Sequence, residues 1–215
     1  QAYGQTECPN LITTLTPGDH LKAVDNPGIL GSCGRPVHLA SLVILDTEGN
    51  EAAVGQPGEI AIKSPCIMKG YNKKPEATKA AFNKDGWLMT GDMGRVDEEG
   101  YIYIVDRRKD MIISGGLNVY SVEVEEILRK HPKVQQAAVI GVPDDHWGEA
   151  VTAMIVAAEE CTAEEIKEWC KDKMAKYMQP KNVHFCDSFP LTPIGKIDKV
   201  SLRAPFWQGK ERAIH

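Results

Sequence analysis

Two short segments in the first half of the sequence combine groups that suit nucleotide binding. Tyr3-Gly4-Gln5-Thr6-Glu7 places an aromatic ring, a glycine, a hydroxyl and a carboxylate within five residues. Those groups can stack on a base, admit a phosphate close to the backbone, donate to a phosphate oxygen and hold a magnesium ion. Thr90-Gly91-Asp92 adds a loop carboxylate that can accept hydrogen bonds from both hydroxyls of a ribose. Taken alone, each segment is more often a polar turn.

Two further segments lie in the second half of the sequence. The charge cluster Asp106–Asp110 leads into a short apolar run, Met111–Ser114, and then into the pair Gly115-Gly116. Paired glycines leave a strand surface bare, so a flexible ligand can lie against the backbone. Gly195-Lys196 lies in a proline-rich loop but is not a Walker A motif, because the earlier glycine and the following Ser or Thr are missing.

Alternating apolar residues and turn signals predict mainly antiparallel β structure up to about residue 105, with a small barrel as one possible closed form. Residues 39, 41, 43 and 45 share one face of the first of these strands. The predicted strands are 39–45, 59–63 and 101–105, and the predicted turns are 47–50, 55–58 and 97–100.

From about residue 110 the pattern becomes mixed. Ser121 is predicted to cap a helix over about 122–131, and Thr162 with Glu165 forms a capping box for a second helix. The predicted strands are 111–114, 134–142, 150–158 and 183–186. This β-α-β-β-α-β order indicates a compact α+β domain with its helices on one face of a small sheet.

Composition narrows the class of protein. The 215 residues are 42% hydrophobic and 26% charged, values ordinary for a globular chain. A net charge of -5 is not typical of a protein that binds nucleic acid. No apolar run approaches the ~20 residues that a membrane-spanning helix needs. The six cysteines and six histidines lack metal-type spacing, which favours reduced thiols and a cytoplasmic protein. Because Gln1 opens what reads as the middle of a motif, we expect a piece of a longer protein.

In this order, the four segments resemble the adenylate-forming superfamily of acyl-CoA synthetases, peptide-synthetase adenylation domains and firefly-type luciferases. The similarity spans nearly the whole chain, and residues 109–126 are most similar to fatty-acyl and medium-chain acyl-CoA ligases. Three additional motifs contribute to it: Gly58-Glu59-Ile60, Lys69-Gly70-Tyr71 and Pro75-Glu76-Ala77-Thr78.

The resemblance implies an α+β fold in two parts. Residues 1–108 would be the β-rich end of a large N-terminal domain, and residues 109–215 a mobile C-terminal lid domain. Such enzymes join a carboxylic acid, for which the resemblance implies a fatty acid here, to ATP in the presence of Mg²⁺. They then transfer the acyl group from the adenylate to CoA as cosubstrate.

The resemblance also assigns roles to individual residues. Those for ATP or AMP are Tyr3 on the adenine, Gly4 and Gln5 along the adenylate, Thr6 on a phosphate oxygen, and Asp92 and Arg107 on the ribose. Glu7 is the implied magnesium ligand, Lys196 the catalytic cation and Lys109 the hinge. Those for CoA are Ser114, Gly115 and Gly116 along the pantetheine and Lys181 on a phosphate, with Trp147 where some relatives carry Arg.

Two alternatives stay open at this point: an enzyme that loads a carrier-protein thiol, and a catalytically silent interaction module. Retention of Glu7, Asp92, Arg107 and Lys196 favours an enzyme. The family's Gly/Ser/Thr-rich phosphate loop and most of its acyl pocket lie upstream of the Tyr3–Glu7 motif. We therefore expect these 215 residues alone neither to adenylate an acid nor to bind ATP tightly. The acid's chain length and the oligomeric state are left open.

Overall fold

A computed structural model describes residues 1–210 and 212. The chain divides into two compact units, Gln1–Arg108 and Lys109–His215. Residue 211 and residues 213–215, which belong to the predicted second domain, lie outside the described residues. Mixed α+β structure with antiparallel sheets is confirmed as the fold class.

The first unit contains two antiparallel sheets and two short helices. One sheet has the order β1-β2-β3, with β1 Ala2–Gln5, β2 Cys8–Thr14 and β3 Arg35–Pro36. The other has the order β4-β5-β6-β7, with β4 Ser41–Leu45, β5 Gly58–Lys63, β6 Leu88–Val96 and β7 Ile102–Arg107. The helices are α1 Pro17–Lys22 and α2 Pro75–Ala80, and a 3₁₀ turn covers Pro27–Gly31.

The predicted barrel is wrong for this unit. Across residues 1–108 the strands form two open sheets, because β3 is only two residues long and carries no ladder on to β4. The predicted strand at 39–45 is shorter, since Leu39 lies outside β4 and is exposed. Its alternate face, with Ile44 buried and Leu42 packed beside it, joins the core.

The second unit is built on one larger sheet. Its strands are β8 Ile112–Ser114, β9 Leu117–Val119, β10 Val134–Asp144, β11 Gly148–Ala157 and β12 Asn182–Phe185. Its helices are α3 Ser121–Arg129, α4 Ala163–Lys171 and α5 Lys199–Arg203, and a 3₁₀ turn covers Ala204–Trp207. Strand β11 is central: it pairs with β10 in a long antiparallel hairpin, with β8 in antiparallel and with β12 in parallel orientation.

Both faces of the β10–β11 hairpin are buried: the two predicted helices share one face, and a third helix that the sequence analysis did not predict covers the other. Val139 and Ala153 point into a cluster with residues of α3 and α4. Ile140 and Met154, on the opposite face, pack with Phe189 and with residues of α5 and the following 3₁₀ turn. The alternation of side chains along a strand gives each face its own apolar set.

The two predicted helix caps have different outcomes. Thr162 and Glu165 form the predicted capping box, which is confirmed by both reciprocal hydrogen bonds. Ser121 is instead the first residue of α3, and Tyr120 is the N-cap residue. Ser121 is buried and its hydroxyl accepts a hydrogen bond from Lys199, so the prediction of a Ser121 cap is wrong.

Among the described residues, we find no helix that is both long enough and apolar enough to cross a membrane.

Candidate functional site

The Tyr3–Glu7 motif forms a tight β-hairpin. Tyr3 pairs with Thr13 and Gln5 pairs with Cys8, so Thr6 and Glu7 occupy the turn between β1 and β2. Gly4 and Thr6 are exposed, whereas the Tyr3 side chain is buried in the core of the first unit. The hairpin therefore presents its backbone and hydroxyl groups outward and uses its aromatic ring for packing.

Three of the predicted nucleotide residues lie together. The Tyr3 hydroxyl donates to Oδ2 of Asp92 at 2.7 Å, and Nε of Arg107 lies 3.8 Å from Oδ1 of Asp92. Asp92 and Arg107 are direct partners in the β6–β7 ladder. Burial, followed by the negative charge of Asp92, raises the pKa of Tyr3, so its hydroxyl stays protonated and donates.

Asp92 lies within strand β6 and not in a loop, which corrects the sequence-based prediction. The preceding Thr90 donates through Oγ1 to the carbonyl of Ile60 at 2.7 Å and accepts from the backbone of Asp92 at 3.2 Å. Gly91 has a φ of +74°, a left-handed value that a glycine adopts without strain. This local backbone sets the direction of the Asp92 carboxylate.

Glu59 is a functional candidate that we did not predict. Its carboxylate accepts from the backbone of Gly91 at 3.2 Å and from Arg108 at 3.1 Å, and the residue is only 8% exposed. Burial raises the pKa of Glu59, and the charge of Arg108 opposes that effect. The Gly58-Glu59-Ile60 motif predicted a strand and contributed to the family resemblance. It did not predict these contacts, because the partners of Glu59 lie far away in sequence.

Glu7, the predicted magnesium ligand, is half-buried and accepts a hydrogen bond from the Tyr71 hydroxyl at 2.8 Å. That hydrogen bond raises the pKa of Tyr71. No group of three or more His, Cys, Asp or Glu side chains suited to a metal occurs in the described part of the chain. A single carboxylate nevertheless suits Mg²⁺ that is held largely by phosphates and water.

Lys196 stands on a tight turn of the second unit and is exposed. The backbone of Thr192 donates to the carbonyl of Lys196 at 2.7 Å, and the backbone of Lys196 donates to Oγ1 of Thr192 at 3.1 Å. Leu191 and Ile197 form a β-bridge on either side of this turn. The turn fixes the backbone of Lys196 while its long side chain remains accessible.

The predicted CoA residues come together around Trp147. The backbone of Gly115 donates to the carbonyl of Trp147 at 2.8 Å, and a Cβ atom on Gly115 would lie 2.9 Å from the indole ring. Nζ of Lys181 lies 5.1 Å from the centre of the same ring. Ser114 is buried beside Gly148, and Gly116 completes the β8–β9 turn.

Lys109, the predicted hinge, is the first residue of the second unit. Its carbonyl accepts hydrogen bonds from two arginine side chains: Arg203, at 2.9 Å, and Arg212. Arg203 also forms an ion pair with Asp110 at 3.1 Å. The backbone at the start of this unit is thus held by residues from its end.

Comparison with known proteins identifies two family models in this chain. The AMP-binding enzyme model matches residues 1–72, and the AMP-binding enzyme C-terminal domain model matches residues 123–196. A medium/long-chain-fatty-acid–CoA ligase, FadD8 of Mycobacterium tuberculosis, is 45% identical over all of this chain and 38% of its own length.

Solved structures show the same similarity. The o-succinylbenzoate CoA synthetase MenE of Bacillus subtilis, in complex with its acyl-adenylate intermediate, matches with a TM-score of 0.83 and 38% identity over 94% of this chain. The amide bond synthetase McbA of Marinactinospora thermotolerans matches with a TM-score of 0.82 and 40% identity over 96% of this chain.

The chain spans about two fifths of the length of these relatives, with coverage of 38%, 40% and 41%. Its two matched models follow the order of the sequence motifs, with the hairpin motif in the first and Lys196 at the end of the second. The chain belongs to the adenylate-forming family of AMP-binding enzymes.

Proposed function

We propose that the full-length protein is an AMP-forming acid–CoA ligase, to which this chain contributes part of the nucleotide site and the catalytic lysine. The observation that carries this proposal is the meeting of Tyr3, Asp92 and Arg107 in one cluster. Asp92 supplies a carboxylate and Arg107 a cation at adjacent positions of one ladder, which suits the hydroxyls of a ribose.

The hairpin beside this cluster suits the phosphates. Thr6 and the backbone of Gly4 are exposed, and Glu7 is positioned by Tyr71. These residues would hold ATP and Mg²⁺, which supply the adenylyl group and shield its charge when they are bound. Gln5, half-buried in β1, would line the adenylate. Because the Tyr3 ring lies in the core, we now favour a role in holding Asp92 over stacking on adenine.

Lys196 would act in the first half-reaction. In that step a carboxylate oxygen attacks the α-phosphorus of ATP and the bond to pyrophosphate breaks. Negative charge grows on the transferring group, and a fixed ammonium beside it lowers the barrier. An exposed lysine on a stiff turn suits that role, because the long side chain reaches out while its base stays fixed.

The second half-reaction needs a thiol acceptor, and we propose CoA. Gly116 leaves open space beside the backbone, Gly115 lies directly against the Trp147 ring, and Lys181 brings a positive charge close to that aromatic surface. Lys109 would be the hinge between the two half-reactions. FadD8 and MenE are both CoA-dependent by name, whereas McbA is named for amide bond synthesis.

A fatty acid is our proposed substrate, supported by the 45% identity to FadD8. MenE acts on o-succinylbenzoate by its name, so an aromatic keto acid is the alternative to be tested. All six cysteines are free thiols, which suits a reducing compartment such as the cytoplasm.

The test is product formation by the full-length protein. ATP, Mg²⁺ and either medium- and long-chain fatty acids or o-succinylbenzoate should give AMP, and adding CoA should give the acyl-CoA in equal amount. Replacing CoA with a carrier-protein thiol or with an amine, and measuring acyl transfer, tests whether the protein uses one of these acceptors instead. An absence of AMP with every acid would overturn the proposal in favour of a silent module. ATP cleavage that does not depend on any acid would overturn it in favour of a different ATP-cleaving activity.

A further inference from the structure

A second lysine lies three residues after Lys196. Lys199 is the first residue of α5, and its side chain is only 14% exposed. Its Nζ lies 2.6 Å from Oε1 of Glu125 and donates to Oγ of Ser121 at 2.7 Å. A lysine that is this buried needs such partners, because an isolated charge is costly away from water.

Glu125 connects Lys199 to the centre of the second unit. It lies on α3, its side chain is 5% exposed, and it accepts from the backbone of Val139 on β10 at 2.9 Å. Arg129 donates to its other oxygen at 2.7 Å from the outer side of α3. Lys199 is therefore fastened to a helix and a strand through one carboxylate.

The segment between Lys196 and Lys199 connects this ion pair to the turn that carries Lys196. The backbone of Asp198 donates to the carbonyl of Pro190 at 2.8 Å, closing the turn that carries Lys196. Ile197 packs into the apolar cluster that includes Phe189. The turn is thus a stiff unit, and its exit is fixed to the domain where Lys199 meets Glu125.

We propose that Lys199 is a positioning residue for Lys196, acting through its buried ion pair with Glu125. The proposal rests on the catalytic role proposed for Lys196. A catalytic group must be held within a fraction of an ångström of its productive place, so the supporting contacts matter as much as the group itself. Lys199 does not contact substrate in this account.

The test compares three variants of the full-length protein. Lys199→Met should lower kcat for adenylate formation about tenfold to a hundredfold, as misplaced catalytic groups do, with the KM values for ATP and acid unchanged. Thioester formation from a supplied acyl-adenylate should be unaffected. Lys199→Arg keeps the charge and should recover part of the lost rate.

Arg129→Met is the matched control, since it removes the other cation from the same carboxylate without touching α5. It should leave adenylate formation within about twofold of wild type, because Arg129 is an exposed cation on the outer side of α3 and does not contact the turn or α5. If Lys199→Met fails to fold, the double variant Lys199→Met/Glu125→Gln, which removes both charges of the ion pair, is used in its place.

Hydrogen exchange gives a readout that does not depend on activity. The amides of residues 192–198 should exchange faster in Lys199→Met than in wild type or in Arg129→Met. Unchanged exchange, or equal losses of both half-reactions, would overturn the positioning role. A wild-type protein that adenylates no acid would instead overturn the proposed function, while exchange would still decide whether Lys199 holds the turn.

Discussion

The nucleotide candidates of the first unit and the lysine of the second unit are held in different ways. Asp92 and Arg107 lie on paired strands, and Asp92 accepts a hydrogen bond from a buried tyrosine. Lys196 stands on a turn whose backbone is closed while its side chain is exposed. A group that receives a ligand can be assembled in place, whereas a group that must reach a reacting atom needs a fixed base and a free end.

Asp92→Ala should produce the largest change on the ligand side of this comparison. Loss of a charged hydrogen-bond acceptor should weaken ATP binding to the full-length protein by about 1.5–3 kcal/mol, measured by calorimetry. Asp25→Ala, at an exposed position, is the control and should bind ATP as wild type does. Equal affinities for the two variants would remove Asp92 from the nucleotide site.

Asp19→Asn tests whether the first unit depends on a buried carboxylate network. Asp19 is 2% exposed and accepts from Thr16, from the Tyr101 hydroxyl at 2.7 Å and from Arg35 at 3.0 Å. The hydrogen bonds from Thr16 and Tyr101 hold the pKa of Asp19 well below its ordinary value. The variant should lose about 1–3 kcal/mol of unfolding free energy at neutral pH.

The effect of Asp19→Asn on the free energy of unfolding should depend on pH in a direction set by the depressed pKa of Asp19. A carboxylate with a depressed folded-state pKa stabilises the fold above its unfolded pKa of about 3.9. The difference between wild type and Asp19→Asn, followed by urea unfolding, should therefore be constant near neutral pH and shrink as the pH falls below about 4. A difference that is independent of pH would show that the charge on Asp19 does not contribute.

Gly115→Ala tests the CoA side of the second unit. A side chain there meets both a φ of +60° and the Trp147 ring, and we expect a cost of about 1–2 kcal/mol from the backbone alone. KM for CoA should rise while KM for ATP stays constant. Gly116→Ala carries a similar backbone cost, but a Cβ there meets nothing within 4 Å, so the excess effect at Gly115 measures the collision. Equal rises in the KM for CoA in Gly115→Ala and Gly116→Ala would contradict a CoA site beside Trp147.

Tyr3→Phe should have the smallest effect and sharpens the role of the tyrosine. The ring stays in the core and only the hydroxyl bond to Asp92 is lost, which should cost about 0.5–1.5 kcal/mol of stability. If Tyr3 holds Asp92, ATP binding weakens slightly as well. Tyr103→Phe, which removes a hydroxyl bond to Asp97, is the control. Unchanged ATP binding in Tyr3→Phe would contradict a role for the Tyr3 hydroxyl in holding Asp92 for the nucleotide.

Local patterns were sufficient to predict most of the second unit. The Thr162–Glu165 capping box depends on four consecutive residues, and the β10 and β11 runs are largely apolar, so these elements were recognised. Strand β6 was missed because Met-Thr-Gly-Asp-Met-Gly interrupts the alternation with two glycines. Its place in the sheet comes from pairing with β5 and β7, which a single segment does not show.

The candidate site, too, could be predicted from the sequence only in part. The family resemblance carried by the ordered motifs was enough to predict Asp92, Arg107 and Lys196 as site residues. The Tyr3–Asp92 bond joins positions 89 apart, and the Lys199–Ser121 bond joins positions 78 apart. Such contacts depend on how the chain folds back, and no local spacing encodes them.

The most direct test of the central claim is a comparison of the two half-reactions in full-length Lys196→Ala. We predict that carboxylate-dependent pyrophosphate exchange falls by about a hundredfold or more, as for the loss of a group that stabilises transition-state charge. Thioester formation from a supplied acyl-adenylate should continue near the wild-type rate. Unchanged pyrophosphate exchange in this variant would contradict the assignment of Lys196 as the catalytic lysine.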